Sequence, residues 1–189
     1  VCVDGTPLTP AAEPPTYLLL NKPRGYVTTL SDPQGRPTVK ELIKDVKVRL
    51  FPVGRLDLDS EGALLLTNDG ELADKVMHPR HQTNKTYLAW VAGHPTPDQI
   101  RQLRSGIMLE GSKTWPARIK EVKKQRDGSS CYRVIIHEGR KRQIRKMFQA
   151  IGHPVTRLKR VAYGALSLDS LKVGSYRPVS KAELKKIFL

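Results

Sequence analysis

One acidic stretch decides how this chain is interpreted: Pro52-Val-Gly-Arg-Leu-Asp-Leu-Asp-Ser-Glu-Gly-Ala-Leu-Leu-Leu-Thr-Asn-Asp-Gly70. Three acids and one arginine lie between Arg55 and Glu61, and an apolar run follows. Side chains alternate between faces along an extended segment, so Arg55, Asp57 and Asp59 are expected to share one face. An arginine beside carboxylates on a strand end fits a surface ion pair or a functional site, and this stretch alone leaves both open.

The same stretch partly fits a calcium-binding loop. Asp57, Asp59, Glu61 and Gly62 occupy the first, third, fifth and sixth positions of the EF-hand pattern. The twelfth position needs a bidentate glutamate, and it is Asn68 here. We therefore expect no calcium site.

Composition favours a polyanionic partner. The chain has 189 residues, with 33 Lys and Arg against 18 Asp and Glu, for a formal net charge of +15. Such an excess is typical of proteins that bind nucleic acid or an anionic membrane surface. No apolar run approaches the roughly 18 residues of a membrane span. The two cysteines and the scattered histidines predict no metal site, and they favour a reduced, cytoplasmic compartment.

Short elements of both kinds predict an α+β fold, with a mixed, mainly antiparallel sheet flanked by short helices. Alternation and β-forming residues predict strands, and capping boxes with apolar stripes predict helices. The strands are expected at 17–20, 64–66, 85–92, 118–123, 130–137, 154–163 and 167–173. Helices are expected at 37–46, 97–105 and 140–151, with one after Asp69 and one after Ser180.

The helix predicted at 140–151 carries an unusual charge at its start. Arg140, Lys141 and Arg142 occupy the expected first turn, although a helix N-terminus favours anions. A bound phosphate would satisfy both the basic side chains and the free N–H groups. A solvated basic turn is the alternative.

Four ordered motifs resemble the RsuA/RluB-type RNA pseudouridine synthases. The acidic stretch matches the signature of that family, with Ala63 and Ser60 as small departures. The other motifs are Tyr-Leu-Leu-Leu-Asn-Lys-Pro-Arg-Gly-Tyr-Val at 17–27, Asn-Lys-Thr-Tyr at 84–87 and Glu-Gly-Arg-Lys-Arg-Gln-Ile-Arg-Lys-Met-Phe at 138–148. The resemblance implies a pseudouridine-synthase-like core with an active-site cleft between two lobes.

The resemblance also implies a division of the chain. An S4-type RNA-binding domain precedes the catalytic domain in that family. Residues 1–16 are therefore expected to be the remnant of such a domain with a Pro-rich linker, in a truncated or natural fragment, and residues 17–189 the catalytic domain.

The implied chemistry uses one ionised carboxylate and neither cofactor nor metal. The family motif places that carboxylate at Asp57, as nucleophile or as base, and Asp59 and Glu61 need no catalytic role. Tyr87 matches the tyrosine that stacks on the flipped base. Arg145 matches the basic residue that pairs with the aspartate, although Arg55 competes for that role, and the sequence does not decide between them.

The expected partner is ribosomal RNA, bound by a monomer, with 23S favoured weakly over 16S. The basic residues expected to contact RNA are Lys22, Arg24, Lys85, Arg140, Lys141, Arg142 and Lys146. The alternative is a non-catalytic rRNA-binding or ribosome-associated module. That alternative does not explain acids inside a basic protein, because acids weaken RNA binding. An anionic-membrane binder lacks a suitable amphipathic helix.

Overall fold

The structure is a computed structural model. It describes residues 2–3, 6–7, 13–125 and 127–189. The predicted remnant and linker at 1–16 fall largely outside these residues, apart from the paired strands β1 (Cys2–Val3) and β2 (Thr6–Pro7) and residues 13–16. Arg126, between the strands expected at 118–123 and 130–137, also lies outside them.

A nine-stranded sheet organises the described chain. Its strands run in the spatial order β13-β3-β5-β11-β6-β10-β9, while β4 pairs with β5 and β12 with β11. All pairs are antiparallel except β5 with β11. This confirms the predicted α+β class with a mixed, mainly antiparallel sheet. The strands are β3 (Tyr17–Lys22), β4 (Phe51–Pro52), β5 (Ser60–Thr67), β6 (Lys85–Ala92), β9 (Arg118–Lys124), β10 (Ser129–Ile136), β11 (Val155–Tyr163), β12 (Leu166–Ser167) and β13 (Tyr176–Pro178).

Short helices cover both faces of the sheet. They are α1 (Gly70–Met77), α2 (Pro97–Ser105), α3 (Gln143–Ala150) and α4 (Lys181–Lys185), with 3₁₀ turns at Val39–Ile43, Pro79–His81 and Lys186–Phe188. A two-stranded hairpin of β7 (Met108–Leu109) and β8 (Ser112–Lys113) follows α2. Among the described helices, none has the length and apolar character that crossing a membrane requires.

The apolar core has two parts because alternate residues of the central strands point to opposite faces. Leu64 and Leu66 of β5 pack with α2 and α3 on one face. Leu65 packs with α1 and α4 on the other. This double burial explains why β5 reads as a continuous apolar run in the sequence.

A close approach of β5 to β11 requires glycine at position 62. Gly62 has φ +109 and pairs with Arg160. A Cβ atom there would lie 2.0 Å from the Arg160 carbonyl oxygen. The absence of a side chain at Gly62 therefore allows β5, from the N-terminal half of the chain, to pair with β11, from the C-terminal half.

The elements expected at 167–173 and 37–46 are much shorter in the structure. The strand expected at 167–173 is only the two residues of β12, because Asp169 adopts a left-handed conformation (φ 47) and turns the chain. The helix expected at 37–46 is the short 3₁₀ turn Val39–Ile43. Its predicted capping residues do interact, since the Thr38 N–H donates to the Glu41 carboxylate at 2.7 Å.

Candidate active site

Asp57 lies in the loop between β4 and β5, on a backbone held by hydrogen bonds from the 25–28 segment and by a turn at Ser60. The Thr28 hydroxyl donates to the Leu56 carbonyl at 2.7 Å and accepts from the Leu56 N–H at 3.2 Å. The Gly25 N–H donates to the Leu58 carbonyl at 2.8 Å, and the Ser60 N–H closes a turn on the Asp57 carbonyl at 3.0 Å. The carboxylate is thus presented from a fixed turn, with 38% of its side chain exposed.

Lys22 supports this loop from the protein interior. Its predicted contact with RNA is wrong, because the side chain is not exposed. It is fully buried, and its ammonium donates to the carbonyls of Pro23, Asp57 and Ser60. Lys22 is the last residue of β3, so its side chain continues the inward alternation instead of entering the exposed turn. Burial lowers the pKa of Lys22 to about 8, against the opposing attraction of Asp57.

Arg142 and Arg145, at the start of α3 and within it, hydrogen-bond to Asp59 and not to the Asp57 carboxylate. Arg142 donates to both Asp59 carboxylate oxygens, at 3.1 and 3.0 Å, and lies 3.8 Å from the Asp57 carboxylate. Arg145 donates to the Asp59 carbonyl at 3.0 Å and approaches its carboxylate at 3.3 Å. Among the described residues no ion pair joins Arg145 to Asp57, because the turn at Asp57–Ser60 places Asp59 beside Arg145.

These arginines also fix the charge of Asp59. Partial burial would raise the pKa of its carboxyl, but the hydrogen bond from Arg142 and the charge of Arg145 lower it below its usual value. Glu61 is engaged as well, since the Arg157 Nε donates to it at 2.7 Å. Of Asp57, Asp59 and Glu61, Asp57 is therefore the one whose carboxylate accepts no hydrogen bond from a cation among the described residues.

A cleft of about 460 Å³ opens beside Asp57, between the 55–60 loop and the segment that leads into α3. Tyr87, 9% exposed on β6, and the exposed Arg55 line this cleft with Asp57. Arg145 lies behind Asp59 and does not line it. The cleft thus brings together three of the four predicted active-site residues, and we call it the catalytic cleft.

Three apolar side chains that sequence reasoning missed also line the cleft: Ile136, Ile144 and Leu158. Each is nearly buried and comes from a different element, β10, α3 or β11. The alternation along the two strands and the apolar stripe of the helix predict that these side chains face the core. Only the order of the strands in the sheet brings them to one place. They give the cleft a low-polarity side suited to a flat base.

The start of α3 differs from its prediction. The helix begins at Gln143, and Arg142 is its left-handed N-cap residue (φ 54). The Arg140 N–H donates to the Gln143 side chain at 3.2 Å, and that amide donates to Glu138. These contacts fix the loop that precedes the helix, so the basic residues lie before its first turn.

The remaining basic residues divide into engaged and free groups. Arg140 donates to Glu138 and to backbone carbonyls of the β7–β8 hairpin, Lys146 pairs with Glu110, and Lys85 donates to the carbonyls of Thr83 and His137. Arg24 and Lys141 are exposed and make no ion pair among the described residues. The described residues hold no group of three or more His, Cys, Asp or Glu placed to bind a metal ion.

Comparison with known proteins agrees with this geometry. The profile of the family described as RNA pseudouridylate synthase matches residues 16–150. Ribosomal large subunit pseudouridine synthase B of Bacillus subtilis (strain 168) is 46% identical over 93% of this chain and 72% of that protein. Ribosomal small subunit pseudouridine synthase A of Salmonella typhimurium is 35% identical over 99% of this chain and 80% of that protein.

A solved structure has the same fold. The crystal structure of a pseudouridylate synthase superimposes with a TM-score of 0.82 and 34% identity, over 92% of this chain and 74% of that chain. Proteins of more distant sequence, such as the human RNA pseudouridylate synthase domain containing 1, share the fold at 17% identity and a TM-score of 0.56. The profile match and the close relatives agree with the four motifs and the cleft that they form. This chain therefore belongs to the RNA pseudouridylate synthase family and is a pseudouridine synthase of the RsuA/RluB type.

Proposed function

We propose that this protein converts one uridine of 23S ribosomal RNA into pseudouridine, with Asp57 as its single catalytic carboxylate. The observation that carries the proposal is the placement of Asp57 at the catalytic cleft with Tyr87 and Arg55. The relative at 46% identity bears a large-subunit name and the one at 35% a small-subunit name, which favours 23S over 16S. A cytoplasmic monomer without cofactor is sufficient for this reaction.

The reaction rearranges bonds within one nucleotide. The N1–C1′ bond breaks, the uracil turns within the cleft, and a C5–C1′ bond forms while C5 loses its proton and N1 gains one. Asp57 acts as nucleophile at C1′ or as base toward the C2′ proton. The freed base stays in the cleft, so no second carboxylic acid is needed, unlike in ordinary glycosidases.

The target uridine must leave its stack to reach Asp57. In the cleft its base would lie against the Tyr87 ring, with Ile144 and Leu158 completing the apolar wall. Arg55, exposed at the rim, would hold the RNA beside the vacated position. Arg24, Lys141 and Arg142 supply positive charge around the opening.

The test is to map pseudouridines in 23S and 16S rRNA transcripts treated with the protein, and to follow tritium release from 5-tritiated uridine. We expect one modified uridine in 23S rRNA and at least a thousandfold loss of rate, a typical order for a catalytic group, in Asp57→Asn. Asp98→Asn, at an exposed aspartate of α2 outside the cleft, is the matched control and should retain turnover. Asp57→Asn turning over near the wild-type rate would reject Asp57, and RNA binding without any modified uridine would favour a non-catalytic module.

A further inference from the structure

A second cavity of about 840 Å³ adjoins the catalytic cleft at Tyr87 and is not lined by Asp57, and we call it the rear cavity. It shares Tyr87, Arg55 and Gly139 with the catalytic cleft. Its volume falls within the range of small-molecule sites in proteins. The proposed reaction at Asp57 does not require a cavity of this size beside the catalytic cleft.

Arg160, at the back of the rear cavity, is a buried cation that lacks an acidic partner there. It is 2% exposed, its Nε donates to the Ala63 carbonyl at 2.7 Å, and its guanidinium lies 4.5 Å from the Tyr163 ring centroid. Its Nη2 has no hydrogen-bond partner among the described residues. No carboxylate among the residues that line the rear cavity neutralises this guanidinium, so an anion bound in the cavity would offset its charge.

A second cation lines the same wall. Lys85 lies in the rear cavity and donates only to the carbonyls of Thr83 and His137, among the described residues. Burial lowers the pKa of Lys85 to about 8, and the charge of Arg160 lowers it further in the same direction. None of the described residues lining the rear cavity is an acid, so its positive charge is unbalanced.

Apolar side chains also line the rear cavity. They include Pro52, Val76, Met77 and Pro79, and Met77 is 47% exposed at the end of α1. Exposed methionine and proline surfaces suit a flat ring that needs no directional partner. The rear cavity therefore combines two cations with an apolar set of side chains.

We propose that the rear cavity binds a second nucleotide of the substrate RNA, next to the target uridine, with its phosphate at Arg160 and Lys85 and its base against Met77 and Pro52. This inference rests on the proposed function, since RNA is the ligand. It fits the shared wall, because Tyr87 and Arg55 separate the two spaces. A nucleotide is the RNA unit that carries one anion and one flat ring together.

The test is a binding measurement that requires no turnover. Fluorescence anisotropy gives the Kd of a short oligouridine for the wild type, for Met77→Glu and for Val122→Glu. Both variants place one negative charge at an exposed apolar position, but Val122 lies on strand β9, outside both cavities. We expect about a tenfold weakening for Met77→Glu, the size of one lost charge-assisted contact, and less than about twofold for Val122→Glu.

Two further probes separate the base from the phosphate. An abasic ribose-phosphate oligomer of equal length should bind the wild type more weakly than oligouridine does, and Met77→Glu should discriminate less between them. Uridine monophosphate should displace oligouridine better than inorganic phosphate does. Equal effects of the two glutamate variants, or equal competition by the two phosphates, would overturn the proposal. Absent tritium release with an intact Met77 effect would instead reject only the proposed reaction.

Discussion

Arg142 holds Asp59 through two hydrogen bonds of 3.1 and 3.0 Å, across 83 positions of sequence. The pair links the 55–60 loop to the start of α3, the two sides of the catalytic cleft. Its side chains are 41% and 38% exposed, so solvent screens much of the attraction. The geometry leaves Arg142 within reach of RNA while it orients the loop that carries Asp57.

The first prediction concerns this pair. Arg142→Ala should change the free energy of unfolding by less than about 1 kcal/mol, because the pair is half-exposed. It should weaken RNA binding and raise KM while kcat at saturating RNA falls far less than in Asp57→Asn. Urea denaturation and steady-state tritium release measure the two effects. A kcat loss as large as that of Asp57→Asn would show that Arg142 acts in the chemical step.

The second prediction separates the two arginines that the sequence left open. Arg145 makes hydrogen bonds to Asp59, Ser60 and Val155, so Arg145→Met should lower Tm by several degrees as bonded buried groups lose their donor. Arg55 is exposed at the cleft, so Arg55→Ala should leave Tm within about 2 °C but reduce turnover. Thermal melting and tritium release distinguish the roles. The reverse pattern would assign Arg55 to structure and Arg145 to the reaction.

The third prediction follows from the two buried lysines. Lys22 and Lys85 have pKa values of about 8 in the folded protein, against 10.5 as the ordinary value. Between these values the unfolded chain binds more protons, so the free energy of unfolding should rise with pH from about 8 toward 10.5. Lys22→Met should reduce that slope by up to the contribution of about one proton bound by the unfolded chain and not by the folded protein.

The control for this pH effect is Lys123→Met, an exposed lysine of β9. It removes the same charge without removing a buried amine, so its slope should match the wild type. Urea denaturation at several pH values between about 7.5 and 9.5, around the lowered pKa values of the two lysines, gives both slopes. Equal slopes for the two variants would contradict the buried-lysine explanation.

The fourth prediction concerns the glycine of the acidic stretch. Gly62→Ala should destabilise the protein by about 3 kcal/mol or more, because the new Cβ meets the Arg160 backbone and φ is positive. Gly70→Ala is the matched control, since nothing lies within 4 Å of its added Cβ. Its stability should stay within about 1 kcal/mol of the wild type. Equal unfolding midpoints for the two variants in urea would contradict this account.

The fifth prediction concerns salt. Affinity for RNA should fall steeply with ionic strength, since phosphate contacts release counterions. Arg24→Ala and Lys141→Ala should each reduce the slope of log K against log salt by about 1, because these exposed cations make no competing ion pair in the described chain. Lys123→Met serves again as control. An unchanged slope in both alanine variants would place the RNA on another face.

Local rules predicted the elements whose signals agree with one another. Strand β6 and helix α2 have their predicted bounds, because alternation, β-forming residues and the Thr96–Gln99 capping box all coincide there. The bounds were wrong where a distant contact decided them. The hydrogen bonds of Gln143 and Glu138 delay the start of α3, and the left-handed Asp169 ends β12 early.

The site was predictable as a set of residues but not as a set of pairings. The resemblance to the family implied that Asp57, Tyr87 and Arg55 share one site, and all three line the cleft. The partner of Arg145 depended on the turn at Asp57–Ser60, which no sequence signal specified. The burial of Arg160 was not predicted, although it lies on the same face of β11 as Leu158 and Ala162, at alternate positions of the strand.

The parallel pairing of β5 with β11 has a consequence for biosynthesis. Ser60–Gly62 finds its partner only when Leu158–Arg160 has emerged from the peptide exit tunnel, late in translation. Until then the Asp57 loop adjoins a strand that lacks one neighbour, and Ile144 and Leu158 are not yet in place beside it. A nascent chain halted before residue 155 would therefore be an incompetent catalyst, even with every acid of the signature already synthesised.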